Sequence, residues 1–168
     1  PCRACTYRLI SYEDECRQKQ KTVEMAFRKS GLPDIKIAPL IPSPHLCHYR
    51  NKAQYPVAKT KSGVEIGFYA PKSHRVMEAA ACPLAPEIFP EILEGIRNFL
   101  IEFDISIYDE ESGKGLVRHI YLRRGECSGE ILLCLVVTNL ALPEHQTLVA
   151  RITERFPSVV GILLNLND

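Results

Sequence analysis

The chain has 168 residues, 46% of them hydrophobic and 24% charged, with a formal net charge of +1. That length is enough for one domain of ordinary size with its own core, and the composition excludes a disordered or low-complexity chain. Near-neutrality excludes a uniformly basic nucleic-acid binder, so any such surface has to come from local clustering.

In chain order, residues 1–9 read as a loop holding Cys2 and Cys5. A helix should follow. Ser11 is a plausible N-cap, Glu13 and Asp14 favour the first turn, and Gly31 stops the helix before Pro33. Arg17, Lys19, Lys21, Arg28 and Lys29 give it a basic outer side. Asp34–Pro44 is proline-rich and reads as an extended connector. Tyr49–Lys59 and Val64–Tyr69 read as a hairpin closed by Thr60–Gly63, and His74–Ala79 as a third strand leading to Cys82.

Ala85–Phe103 is predicted helical, with Ile88, Ile92, Ile96, Phe99, Leu100 and Phe103 forming one apolar stripe. Val117–Arg123 and Glu130–Thr138 read as strands joined through Gly125–Gly129, followed by a helix over Glu144–Phe156 and a strand over Val159–Leu166. The expected fold is therefore α+β, a mainly antiparallel sheet with about three helices in the order α-β-β-β-α-β-β-α-β. No apolar run approaches the roughly 20 residues of a membrane span and no secretory signal is present. The expectation is a soluble, cytoplasmic protein without a membrane partner.

The seven cysteines are an odd number without the spacing of a secreted disulfide scaffold, which favours metal ligation or ordinary thiols. Cys2-x-x-Cys5 is the recurrent unit of zinc and iron–sulfur sites, and Cys82 is followed by Pro83, a familiar end to iron–sulfur ligand sets. Three thiolates do not close a four-ligand site. The pattern leaves three readings open: an iron–sulfur centre, a zinc-stapled RNA- or protein-binding module without enzymatic activity, or a plain interaction domain whose cysteines are structural thiols. Cys134, among leucines and valines, reads as core.

Arg50, Lys52 and Gln54 alternate onto one face of the first strand, with Lys59, Lys61, Lys72, His74 and Arg75 on the adjoining turns. Arg118, His119, Arg123 and Arg124 offer a second basic patch. Arg and Lys beside Tyr, Asn and Gln suit phosphate contact combined with recognition of unpaired RNA bases. The candidate RNA contacts are Arg50, Lys52, Gln54, His74, Arg118, His119 and Arg123. A P-loop, a Gly-x-Gly-x-x-Gly turn and a nucleophile elbow are all missing, and Glu110-Glu111 read as solvated loop acids. No complete catalytic site is visible.

These residues resemble the 23S rRNA (uracil-5-)-methyltransferases, the iron–sulfur-containing branch of the RNA uracil C5-methyltransferases. The resemblance rests on Cys2-x-x-Cys5, Ser11-Tyr12-Glu13, Pro42-Ser43-Pro44, Tyr49-Arg50-Asn51-Lys52-Ala53-Gln54, Gly67-Phe68-Tyr69, Ser73-His74 and Cys82-Pro83-Leu84. It continues through Leu116-Val117-Arg118-His119, Gly129-Glu130-Ile131, Val160-Gly161-Ile162 and Asn165-Leu166-Asn167-Asp168. It implies that residues 1–168 are the central iron–sulfur and RNA-contacting domain of a larger enzyme, lying between a TRAM domain and a Rossmann-like methyltransferase domain.

It further implies a [4Fe–4S] cluster ligated by Cys2, Cys5 and Cys82, with a fourth cysteine upstream of Pro1. S-adenosylmethionine would be the methyl donor of the parent enzyme and rRNA its substrate. The catalytic residues would lie beyond Asp168, so no residue here inherits them.

Overall fold

The structure, a computed structural model, describes residues 5–7, 9–78 and 82–167. It divides into two compact units, Arg3–Leu46 and Cys47–Asp168.

In the first unit, helix α1 spans Tyr12–Lys29. Ser11 caps it as its sequence position predicts, its hydroxyl accepting from the Asp14 amide at 3.1 Å. The chain then enters the left-handed region at Gly31 (φ 77°), the usual exit from a helix. The basic outer side is partly neutralised, because Arg17 pairs with Asp14 and Lys19 with Glu15 one turn back. Both pairs are solvent-exposed and contribute little stability. The extended connector is strapped to the helix by polar contacts. Gln20 Oε1 accepts from the Leu40 amide at 2.9 Å, and the Tyr12 hydroxyl accepts from the Ser43 amide at 2.6 Å.

The second unit holds strands β1 (Lys52–Thr60), β2 (Gly63–Tyr69) and β3 (Val76–Glu78), helix α2 (Ile88–Glu102), then β4 (Val117–Arg124), β5 (Ile131–Val137), helix α3 (His145–Arg155) and β6 (Val159–Leu166). The element order matches the sequence expectation throughout. The six strands form one sheet in the order β3-β2-β1-β4-β5-β6, antiparallel except for the β5–β6 pair that α3 connects.

Boundaries differ where hydrogen bonds leave the ladder. β1 begins at Lys52 rather than Tyr49, because the preceding residues are tied to a different segment: the His48 and Arg50 amides donate to the carbonyls of Pro83 and Leu84, at 2.8 and 2.9 Å. His48 takes φ 55° to make this turn, and its Nδ1 donates to the Ala85 carbonyl at 2.7 Å. β3 begins at Val76 rather than His74, since the Ala70 amide bonds the Arg75 carbonyl and closes a tight turn between them. The expected third-strand residue Ala79 lies outside the described residues. Pro90 falls within the first turn of α2, where its missing amide proton breaks no helical bond.

The core forms on one face of the sheet. The α2 residues Phe89, Ile92, Leu93, Ile96, Phe99 and Leu100 are buried against Tyr55, Val57, Ile66, Ile120, Leu122, Leu133 and Leu135, joined by Leu148 and Ile152 of α3. The predicted apolar stripe is the buried one, with Ile88 and Phe103 half-buried at its ends. Alternation along β1, β4, β5 and β6 sends Lys52, Gln54, Arg123, Leu132 and Leu163 to the opposite face, where they are exposed. Cys134 follows the same alternation. It is half-buried on that opposite face rather than in the core, and burial raises its thiol pKa.

A wall rises from residues 104–116. Ile105 and Ile107 are buried beneath it, and the Tyr108 amide bonds the Val117 carbonyl at 2.9 Å while the Asp109 amide bonds the Lys114 carbonyl at 2.7 Å. Gly115 permits this fold-back. A Cβ there would lie 2.2 Å from the Ile107 carbonyl oxygen, and its φ of +116° disfavours any side chain. Gly115→Ala should therefore cost about 3 kcal/mol of folding free energy. Gly113→Ala, with φ +68° and open space around it, should cost nearer 1 kcal/mol. Denaturant midpoints of the two variants check the contrast.

Candidate nucleic-acid interface

The seven predicted RNA contacts fall into two groups at different heights on the same sheet. Strand pairing sets Lys52 directly opposite Arg123 and Gln54 opposite Tyr121 on the face away from the helices. Arg50 lies just before β1, and the Arg124 amide bonds the Asn51 carbonyl at 2.7 Å. Two cations facing each other across a ladder destabilise it by up to about 1 kcal/mol. Among the described residues, no acid forms an ion pair with Arg50, Lys52 or Arg123. This strip carries uncompensated positive charge beside an amide and a phenol.

The second group, His74, Arg118 and His119, lies around a cleft of about 390 Å³. His119 pairs with Pro56, four residues along β1 from Lys52, or about 13 Å at the rise of a strand. The floor includes Ala58 of β1, Tyr69 of β2, Val76 of β3 and His119 of β4, and the wall is formed by Ile107–Glu111. His74 Nδ1 donates to Glu110 Oε2. The Tyr69 hydroxyl donates to Glu110 Oε1 at 3.3 Å and lies 3.5 Å from His119 Nε2. The Tyr69 ring lies 5.4 Å from the His74 ring and 6.4 Å from that of His119, the latter edge-on. The Arg118 guanidinium stacks 4.3 Å from the Tyr108 ring centroid, and its Nη1 donates to the Asn167 carbonyl at 2.9 Å.

The electrostatics follow from these contacts. The hydrogen bond from His74 lowers the Glu110 carboxyl pKa, with Tyr69 and His119 adding to the effect. Burial lowers His119 below the ordinary histidine value of 6.5, and the neighbouring Arg118 charge reinforces this. Burial first, then the Glu110 charge, raises the Tyr69 phenol. Among the described residues, His119 Nδ1 and Arg118 Nε are buried without a hydrogen-bond partner. Glu110 is therefore not simply a solvated loop acid; it joins Tyr69 of β2 and His74 of the following turn, which precede it by some forty positions. No local sequence signal announces that junction.

The cysteines are placed as follows. Cys2 lies outside the described residues. Cys5, in the first unit, and Cys82, in the second, are free thiols and both half-buried. Among the described residues, no three His, Cys, Asp or Glu side chains converge to hold a metal ion. Cys82 precedes Pro83 and Leu84, whose carbonyls accept from the His48 and Arg50 amides just before β1, and it packs against the core.

No family model matches the chain. A protein of Clostridium tetani named an uncharacterized RNA methyltransferase is 33% identical over 99% of this chain, a stretch that makes up 36% of the relative. A Synechocystis sp. protein of the same description is 33% identical over 98% of the chain and 36% of its own length. The chain thus spans about a third of the length of the curated relatives it matches. The crystal structure of a Pyrococcus abyssi tRNA (uracil-54, C5)-methyltransferase in complex with S-adenosyl-L-homocysteine shares the fold. Its TM-score is 0.71 at 24% identity, covering 88% of this chain and 34% of that one. Among the described residues, no helix is long and apolar enough to cross a membrane.

The lowered values of His119 and Glu110 fix the direction of a pH dependence. A group whose folded pKa lies below its unfolded value binds fewer protons when folded, so stability falls on acidification. The His119 contribution is complete above about pH 6.5 and declines as pH drops through its lowered folded value; the Glu110 contribution declines at lower pH, below the ordinary carboxylate range. The denaturation midpoint should fall from about pH 7.5 to about pH 5.5, and His119→Gln should flatten that fall. Unfolding curves across a pH series provide the check.

Proposed function

We propose that this chain, homologous over nearly its whole length to one segment of the RNA methyltransferases, is the RNA-contacting part of an rRNA uracil-C5 methyltransferase. The observation that carries the reading is the cationic strip. Lys52 and Arg123 face one another on an uncovered sheet face beside Gln54 and Tyr121, with no acid paired to either among the described residues. Such an arrangement costs stability unless an anion neutralises it, and a phosphodiester backbone is the anion that a methyltransferase acting on RNA would bring. Gln54 and Tyr121, the next pair on the same face, add hydrogen-bonding and stacking groups suited to unpaired bases.

The transfer itself belongs to parts of the parent enzyme beyond this chain. S-adenosylmethionine as donor is supported by the fold neighbour's complex with S-adenosyl-L-homocysteine, the compound left when that donor gives up its methyl group. Cys2, Cys5 and Cys82 are the residues that would hold a [4Fe–4S] cluster, with a fourth thiolate from outside this set. When bound, the cluster would supply a thiolate-anchored inorganic centre. Within the chain, Cys82 would link that centre to the strand carrying Lys52, through the bonds from His48 and Arg50. TRAM and Rossmann-like domains are the expected partners in the full-length protein.

Two measurements test the proposal. Replacing Lys52 and Arg123 together with Ala should weaken binding of single-stranded rRNA fragments and reduce the slope of log affinity against log salt by roughly 0.7 per lost phosphate contact. Unchanged affinity and slope would refute the RNA role of the strip. For the cluster, Cys82→Ser in the full-length protein, purified without oxygen, should abolish stoichiometric iron and acid-labile sulfide. Retention of both, or stoichiometric zinc in the parent protein, would overturn the iron–sulfur assignment.

A further inference from the structure

The cleft between the sheet and the wall of residues 104–116 calls for a different occupant from the cationic strip. Its charges balance: Lys59, Arg75 and Arg118 line it together with Asp109, Glu110 and Glu111. A bare phosphate would meet the three acids, and among the described residues no group converges to hold a divalent cation. The remaining features are those of a pocket for a neutral, planar, polar group. Its volume, about 390 Å³, lies in the range of small-ligand sites. Rings from Tyr69, His74 and His119 line it.

Hydrogen-bonding capacity is left over inside it. Glu110 receives one bond on each oxygen, from His74 and Tyr69, and each oxygen retains a further lone pair. His119 Nε2 lies 3.5 Å from the Tyr69 hydroxyl at the same cluster. The two segments bounding the cleft also carry strain. Lys72, in the turn between β2 and β3, has φ 57°, and Asp104, at the foot of the wall, has φ 45°; neither is glycine.

We propose that this cleft receives a single unstacked nucleotide of the RNA strand, its base lying against Tyr69 and its edge hydrogen-bonded by Glu110 and His119. The inference rests on the RNA-contacting reading above and extends it from backbone contact to base capture. The two sites share strands β1 and β4, and the cleft begins about 13 Å along them from Lys52 and Arg123, so one strand can place phosphates on the strip and a base in the cleft. His119 can meet such an edge through Nε2, as donor or acceptor according to its tautomer.

The test titrates a short single-stranded RNA of mixed sequence against the whole chain labelled with 15N-histidine. The imidazole signals of His74 and His119 should shift saturably with the RNA. Tyr69→Ala should lower affinity about tenfold, the effect of losing one base–aromatic stack, while leaving the salt slope unchanged. Lys52→Ala with Arg123→Ala should instead flatten the slope and leave the histidine shifts present at saturation. Stationary histidine signals, with Tyr69→Ala binding like the parent, would overturn base capture and leave the cationic strip standing. Absence of RNA binding at any salt concentration would sink both readings. The histidine signals are read on the unmodified protein, so the outcome does not depend on a variant folding.

Discussion

One-sided burial is the constraint on which the rest of the second unit depends. Helix α2 is apolar along one stripe, and it satisfies that stripe by covering alternate residues of β1, β2, β4 and β5. Because side chains on a strand alternate faces, every residue drawn into this core sends its neighbours to the other side. The second face is therefore determined as strictly as the first. Moving β1 by one residue against β4 would bury Lys52 and Gln54 and expose Tyr55 and Val57, which the core cannot tolerate. The positions of the cations follow from the packing of phenylalanines and isoleucines on the far side of the sheet.

The second face is divided by the wall of residues 104–116. At one end of β1 and β4 the face is uncovered and cationic. At the other the wall creates a cleft in which acids and bases balance. Ile105 and Ile107 anchor the wall in the core, Gly115 lets the backbone pass close to Ile107, and Glu110 fastens its rim to Tyr69 and His74. None of these contacts is strong alone, since the Glu110 contacts are solvent-exposed. Together they hold the wall beside the cleft.

A different kind of joint sits at the start of β1. There the backbone abandons the ladder and binds the Pro83–Ala85 segment through His48 and Arg50, which ties the segment after Cys82, itself packed against the core, to the residues before β1. The sequence stretch from His45 to Leu84 thus closes on itself. Its two ends, chemically unlike, are neighbours because three hydrogen bonds stitch them together.

Local sequence determined the element order, the capping of α1 by Ser11, the buried stripe of α2 and the strand character of β4, β5 and β6. Each is encoded by periodicity or by a residue type acting within a few positions, and such signals survive without tertiary context. The family resemblance was also legible, because short motifs recur in order along the chain. Three features were decided only by the tertiary structure. Cys134 left the core because the alternation of β5, not the apolar character of its neighbours, sets which face it takes. His74 separated from Lys52 because the turn at Ala70–Arg75 carries it to Glu110. The cleft itself joins residues from β1 to the wall, contacts between distant positions whose energy resides in pairings that neither partner's sequence neighbourhood records.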